Sequence, residues 1–188
     1  SDIDGDVDLA IVTIPAKFVF DAVRQCADRG VKYAIVITSG FSEVGNREEE
    51  NRIIAYANSR GTRIVGPNVF GLYSSGINLN ATFVAGNISS GHLAMITQSG
   101  ALGLAMLGQA EVENIGMSAI VSVGNKADVD ESDLLLYLMN HDDTHAILMY
   151  IEGVKNGARL VRVLKETTKR KPVIIIKSGR SSRGAMAA

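Results

Sequence analysis

The sequence predicts an α/β protein built from parallel sheets in two units, and three observations predict it. Short runs of β-branched and apolar residues alternate with amphipathic stretches of helical period, the pattern of successive βαβ units. These apolar runs give way to small polar residues, Gly or Pro, which punctuate strand-to-helix turns. A Gly-, Asn- and Ser-rich stretch from Gly66 to Gly91, which holds no helical period for more than a turn, divides the series in two. The 188 residues are 46% hydrophobic and 21% charged, ordinary globular usage that excludes a disordered tail, a fibre or a rod.

In the first series, residues 9–14 form a strand closed by Pro15, which has no N–H to give to a ladder. Residues 18–29 carry Phe18, Val19, Ala22, Val23 and Cys26 at helical spacing, and Gly30 stops the helix. Residues 32–38 are the next strand, 47–59 the next helix, and 62–65 a short strand ending at Gly66-Pro67. After an ordered connection, the second series runs as strand 93–97, helix 101–114, strand 118–122, helix 130–140, strand 146–151, helix 156–170 and strand 173–177. Four strands and three helices in about 90 residues suit a small flavodoxin-like domain. The expected organisation is a first domain over 1–75, a connection over 76–90 and a second domain over 91–188.

Charge and cysteine usage narrow the classes of partner. Lys and Arg number 19 against 20 Asp and Glu, a net charge of −1, so no bulk basic field attracts a nucleic acid or an anionic membrane. Any anionic ligand has to be held locally. The single cysteine, Cys26, cannot form an intramolecular disulfide, which suits an intracellular, cytoplasmic protein and a buried apolar filler better than a nucleophile. The longest apolar runs are strand-sized, so no transmembrane segment is expected. The acidic start, Ser1-Asp2-Ile3-Asp4-Gly5-Asp6, lacks the zones of a signal peptide and an initiator Met, so a fragment or a processed chain is expected. His141-Asp142-Asp143-Thr144-His145 imitates a metal cluster, but it lies at a helix-to-strand junction where Asp and His serve as turn residues, and no metal site is expected. His92 opens a strand and reads as structural. Glu48-Glu49-Glu50 and Lys169-Arg170-Lys171 sit at the helix ends that suit the dipole and read as solvated faces.

Ligands of open α/β sheets bind beyond the carboxyl ends of the strands, which directs attention to the residues after each one. At Gln98-Ser99-Gly100-Ala101 a strand runs through a Ser-Gly turn straight into a helix, leaving backbone N–H groups aimed outward. Ser99 then either adds a hydroxyl to an anion site or merely caps the helix. Glu152 ends the apolar run 146–151, so its carboxylate belongs at the strand's carboxyl edge, beside the Ser99 turn if the two strands are neighbours. There it either orients a histidine ring or is a solvated strand-end acid. Neither G-x-x-x-x-G-K-[ST] nor G-x-G-x-x-G occurs, which argues against a Walker loop and against an NAD-binding half.

Several short motifs in fixed order carry more weight than any one of them. Ile14-Pro15-Ala16, Thr38-Ser39-Gly40-Phe41, Gly66-Pro67-Asn68, Gln98-Ser99-Gly100-Ala101-Leu102, the run from Ser122 through Gly124-Asn125-Lys126-Ala127-Asp128-Val129, and Tyr150-Ile151-Glu152-Gly153 together resemble the NDP-forming acyl-CoA synthetases. That family includes the α subunits of ADP-forming acetyl-CoA synthetase and succinyl-CoA synthetase. The likeness covers nearly the whole chain, and the stretch 124–129 resembles the acetyl-CoA synthetase branch.

The resemblance implies part of a CoA-binding Rossmann-like domain followed by a ligase flavodoxin-like domain. It implies a reaction in which acyl-CoA and phosphate give an acyl phosphate and CoA, and a histidine takes up the phosphoryl group. The group then passes to ADP or GDP, with Mg, on an ATP-grasp domain or β subunit, in an oligomer. By motif match, Ile14, Pro15, Ala16, Thr38, Ser39 and Gly40 line the CoA site and Asn68 lies near the thioester. Ser99, Gly100 and Ala101 cradle the phosphohistidine, Glu152 orients or stabilises it, and Gly124 and Asn125 belong to an active-site loop. Two departures stand out: only seven residues precede Asp8, where a glycine-rich CoA loop is expected, and residues 177–188 resemble the lead-in to a Ser-His-Thr-Gly segment that does not follow. The chain is therefore expected to lack the phosphoryl acceptor and to be inactive in the full reaction. The alternative is an acyl-CoA- or nucleotide-sensing module of a protein lysine acetyltransferase, since a similar region can be joined to such a domain.

Overall fold

A computed structural model describes residues 3–84 and 88–179. Among these, the chain up to Gly71 forms one compact unit together with Val123–Asp130, and the remainder forms a second.

In the first unit β1 (Leu9–Val12), β2 (Tyr33–Val36) and β3 (Arg63–Val65) pair in parallel in that order, with Val12 opposite Val36 and Ile35 opposite Val65. The connecting helices are α1 (Ala16–Asp28), which buries Val19, Val23 and Ala27, and α2 (Arg47–Ser59), which buries Ile53 and Ala57. Val19, Val23, Ile53 and Ala57 meet Val12, Ala34, Val36, Phe41 and Ile64 in one core, where each large side chain removed from water contributes about 1.5–3 kcal/mol. Gly30, at φ +80, ends α1 as expected: its N–H reaches the Ala27 carbonyl and the Val31 N–H the Cys26 carbonyl, which satisfies two terminal carbonyls. The strands are shorter than the apolar runs, so Ile14 and Thr38 lie beyond them in loops.

The stretch Val123–Asp130 completes this unit by running along β3. Asn125, Ala127 and Val129 donate backbone N–H groups to the carbonyls of Pro67, Gly66 and Ile64 at 3.0, 2.9 and 3.1 Å. The Asp128 carboxylate accepts from the Ile64 N–H at 2.8 Å and the Arg63 guanidinium at 2.9 Å. A β3 edge left bare would expose unpaired backbone groups. Residues 123–130, part of the second domain expected over 91–188, thus pack with the first unit and satisfy the edge of its sheet.

The second unit holds six strands in the order β5-β4-β7-β6-β8-β9. They are β4 (Gly71–Ser74), β5 (Leu79–Thr82), β6 (Ser90–Thr97), β7 (Met117–Ser122), β8 (Ala146–Ile151) and β9 (Val173–Lys177). The last four run parallel, with Ile96 opposite both Val121 and Met149, while β4 is antiparallel to β7. Helices α3 (Gly100–Val112), α4 (Glu131–Leu138) and α5 (Gly157–Thr167) connect them. Met95, Ile96, Ile120, Leu135, Leu138, Ile147 and Met149 are fully buried at the centre. The four strands and three helices of the second series are present; β4 and β5 are additional. The stretch predicted to be a connection over 76–90 thus contains β5, and the segment before it contains β4. Both bury one face only, through Tyr73 and Ala81, and their other face is polar enough to hide the period.

Candidate functional site

Each unit has its own candidate site, and in the first it is a set of loops at the carboxyl ends of β1, β2 and β3. Ile14 and Pro15 are exposed just after β1, and Ala16 begins α1. The Thr38 hydroxyl donates to the Ile14 carbonyl at 2.7 Å and the Asn68 N–H to the Thr38 carbonyl at 3.0 Å, so the loops after all three strands are tied together. Gly40, at φ +111, packs so close to Ala16 that a Cβ there would lie 3.1 Å from the alanine's. Ser39, beside it, is exposed. The six residues expected at a CoA site, and Asn68, are therefore neighbours.

Gly124 and Asn125 join the same cluster from the returning stretch. A Cβ on Gly124 would lie 2.3 Å from the carbonyl oxygens of both Pro67 and Asn68, so only glycine allows this approach. The Asn125 side chain accepts from Asn68 Nδ2 at 3.3 Å and donates its own Nδ2 to Glu43 Oε2 at 2.5 Å and Glu50 Oε2 at 2.8 Å. Glu43 also accepts from the N–H groups of Gly40 and Phe41, at 2.5 and 3.2 Å. Glu50 accepts from the Ser42 N–H and hydroxyl, at 3.3 and 2.7 Å. Desolvation pushes the Glu43 carboxyl up, but hydrogen bonds from Asn125 and the Gly40, Glu43 and Phe41 N–H groups outweigh it and hold the group below its ordinary range.

Glu43 and Glu50 are the residues that the sequence did not single out. Glu50 is a correction: expected on a solvated face, it is 4% exposed, because α2 turns it inward onto Ser42 and Asn125. Lys171 corrects the other charge run in the same way, since its ammonium donates to the carbonyls of Leu138 and His141 beneath α4, and burial pulls its pKa down. For Cys26, burial pushes the thiol up, away from the reactive thiolate.

The site in the second unit lies where β6 and β8 are neighbours, with Thr97 opposite Tyr150, so the Ser99 turn and Glu152 do end side by side. The Ser99 hydroxyl accepts from the Leu102 N–H at 3.3 Å and the Ser99 carbonyl from the Gly103 N–H at 3.1 Å. Ser99 is thus the cap of α3, and among the described residues the N–H groups of Gly100 and Ala101 meet no acceptor at the positive end of the helix. Gln98 Oε1 accepts from the Glu152 and Gly153 N–H groups at 2.9 and 3.1 Å, which ties the turn after β6 to the end of β8. The Glu152 carbonyl accepts from Lys177 Nζ at 2.6 Å; its carboxylate makes no hydrogen bond among the described residues.

The histidines take structural positions. His92 stacks on His145 with ring centroids 4.0 Å apart, and the His141 ring contacts the Thr144 hydroxyl at 2.9 Å. Among the described residues no group of three His, Cys, Asp or Glu side chains is placed to hold a metal ion, and no helix is long and apolar enough to cross a membrane.

Two α/β units, each built around parallel strands with small polar loops at the strand ends, define the class, a two-unit α/β protein of the open-sheet kind. The chain belongs to the NDP-forming acyl-CoA synthetase family: residues 90–188 match the succinyl-CoA ligase like flavodoxin domain and residues 1–40 the CoA binding domain. It is 48% identical over 189 residues to subunit alpha of ADP-forming acetate–CoA ligase I of Pyrococcus furiosus, covering 100% of this chain and 41% of that one. To the ADP-forming acetate–CoA ligase of Methanocaldococcus jannaschii it is 46% identical over 187 residues, 100% of this chain and 26% of that one. A solved structure, the dinucleotide forming acetyl-coenzyme A synthetase 1 of Ca. Korarchaeum cryptofilum in complex with phosphate and ADP, superposes with a TM-score of 0.96 at 46% identity, over 99% of this chain and 40% of that one. The chain therefore spans between 26% and 41% of the length of these relatives.

Proposed function

We propose that this chain is the CoA- and phosphoryl-handling region of an ADP-forming acyl-CoA ligase of the cytoplasm. The observation that carries this proposal is the start of α3, where two N–H groups without an acceptor among the described residues lie at the end of β6, whose neighbour β8 ends at Glu152. Open N–H groups at a helix start hold a phosphoryl group, and a carboxylate beside them orients a histidine that carries one. The loops at residues 14–16 and 38–40, which lie within the CoA binding domain match, would hold the coenzyme, and the 66–68 loop tied to them would meet its thioester.

In the reaction proposed, a phosphate oxygen attacks the thioester carbonyl carbon, the C–S bond breaks, and the thiolate takes the proton that phosphate gives up, leaving acyl phosphate and CoA. A histidine nitrogen then accepts the phosphoryl group as the free acid's carboxylate leaves, and ADP accepts it from the histidine. This chemistry depends on positioning and on hydrogen-bond donors rather than on reactive side chains, as the composition of both sites suits. ADP and its Mg would be bound by an ATP-grasp domain or β subunit, in an oligomer. The relatives named above are ligases, which favours this reading over a sensing module of an acetyltransferase.

The test is phosphorylation of the complete gene product, with its ATP-grasp partner, by γ-labelled ATP. Glu152→Gln is expected to lower the labelling rate roughly 10- to 100-fold. Unchanged labelling would remove Glu152 from the mechanism, and a parent protein that neither labels nor converts acyl-CoA, phosphate and ADP would remove the ligase assignment.

A further inference from the structure

The amide of Asn125 stands between two carboxylates and a second amide, and the chemistry of those neighbours fixes which way round each amide lies. Glu43 and Glu50, when ionised, can only accept, so the end of Asn125 that meets both must be its NH2. Its oxygen then faces Asn68 at 3.3 Å, and that contact requires the NH2 end of Asn68. One Asn68 proton is used there, and the second remains on an exposed side chain. The Asn68 backbone, at φ +62, is pinned by its N–H to Thr38 and by the carbonyl that Gly124 packs against. Both the position and the polarity of this amide are therefore set by residues that need not touch a ligand.

We infer that Glu43, Glu50 and Asn125 are positioning residues that orient Asn68 so that its amide presents an N–H donor to the thioester carbonyl oxygen of a bound acyl-CoA. The inference rests on the ligase reading given above. When phosphate adds to the carbonyl carbon, the oxygen gains negative charge, and a donor held in advance stabilises it without reorganisation. The carbonyl forms again as the C–S bond breaks, and the amide itself gains and loses nothing. A freely rotating asparagine would present its oxygen as readily as its nitrogen, and the oxygen would repel the developing charge. The two carboxylates remove that choice.

The experiment measures acyl phosphate formation from acetyl-CoA and phosphate by the complete gene product with its ATP-grasp partner. Asn125→Ala is expected to lower kcat about 10- to 100-fold while leaving the KM for phosphate and the rate of labelling by γ-labelled ATP within about twofold. Asn68→Gly, which suits the left-handed backbone but deletes the amide, should lose more, about 100-fold or above. The paired change Glu43→Gln/Glu50→Gln allows Asn125 to lie either way round and should reproduce the Asn125→Ala loss, with each single change costing less. Melting temperatures of all variants, taken alongside, identify any that fail to fold, and Asn68→Gly then stands as the test. A folded Asn125→Ala protein with parental kcat, or an equal fall in acyl phosphate formation and ATP labelling, would overturn the inference and leave the ligase assignment intact. A parent protein without acyl-CoA chemistry would overturn both.

Discussion

At the loops of the first unit the polar side chains are already engaged with one another, whereas at the start of α3 in the second unit two backbone N–H groups meet no acceptor among the described residues. The first arrangement is assembled from afar: Asn125 meets a partner 57 residues away in Asn68 and another 82 away in Glu43. The second is assembled by consecutive residues, with Ser99 capping the helix it begins and Gly100 and Ala101 exposing their N–H groups. Close packing and mutual hydrogen bonds make a rigid frame that tolerates no added volume. An anion cradle needs the opposite, room at a helix end and donors without partners. Each region should therefore fail in its own way.

Glycine-to-alanine substitution separates them most sharply. At Gly124, with φ +50 and carbonyl oxygens 2.3 Å from a built Cβ, alanine forces either the 66–68 loop or the returning stretch to move. Gly124→Ala is expected to cost about 2–4 kcal/mol in urea unfolding of this chain. At Gly100 nothing lies within 4 Å of a built Cβ, and alanine should leave stability unchanged or raise it by up to about 1 kcal/mol. Similar losses at both positions would break the distinction between a packed frame and an open cradle.

Two changes at the helix start sharpen the comparison from the other side. Proline is tolerated at the first position of a helix, and the extended Ser99 backbone, φ −92 and ψ 124, suits a following proline. Gly100→Pro thus deletes one cradle donor with little expected loss of stability, and phosphate binding, followed by phosphorus NMR, should weaken about tenfold. Ser99→Ala removes the cap at a cost of about 0.5–2 kcal/mol and should weaken phosphate binding less than Gly100→Pro does. If Ser99→Ala weakened binding more, the hydroxyl and not the N–H groups would be the principal donor.

The same contrast decides what could be read in the sequence. The strand-turn-helix at Ser99 is legible because its parts are adjacent and each follows a local rule: an apolar strand, a capping serine, a glycine and a helix. The parallel strands and Glu152 at the end of β8 are legible for the same reason. Asn125 was placed in an active-site loop by resemblance, but the company it keeps was not visible. In Glu48-Glu49-Glu50 nothing distinguishes the third acid, which is buried, from the first two, which flank it at the dipole-favoured end of α2. The return of residues 123–130 to β3 was hidden because no local signal records which sheet edge a loop will cover. The strands β4 and β5 escaped because each pairs short, half-polar segments whose partners alone make them strands.

The smallest expected effect belongs to Glu43, which is exposed but tied by hydrogen bonds. Its carboxyl is held below the ordinary value of 4.5, with burial opposing the shift and the donors of Asn125, Gly40, Glu43 and Phe41 producing it. A carboxyl whose pKa is lower folded than unfolded contributes stability that is fully present above the unfolded value and is lost as the pH falls through the folded one. The difference in unfolding free energy between the parent chain and Glu43→Gln should accordingly be constant near neutral pH and shrink as the pH falls through 4.5, most steeply between that value and the lower, folded-state one. Urea titrations of both chains across that interval measure it. A difference that stays flat into the acid range would mean that the Glu43 charge adds nothing to the contacts its shape already makes, and the frame around Asn125 would then rest on Glu50 alone.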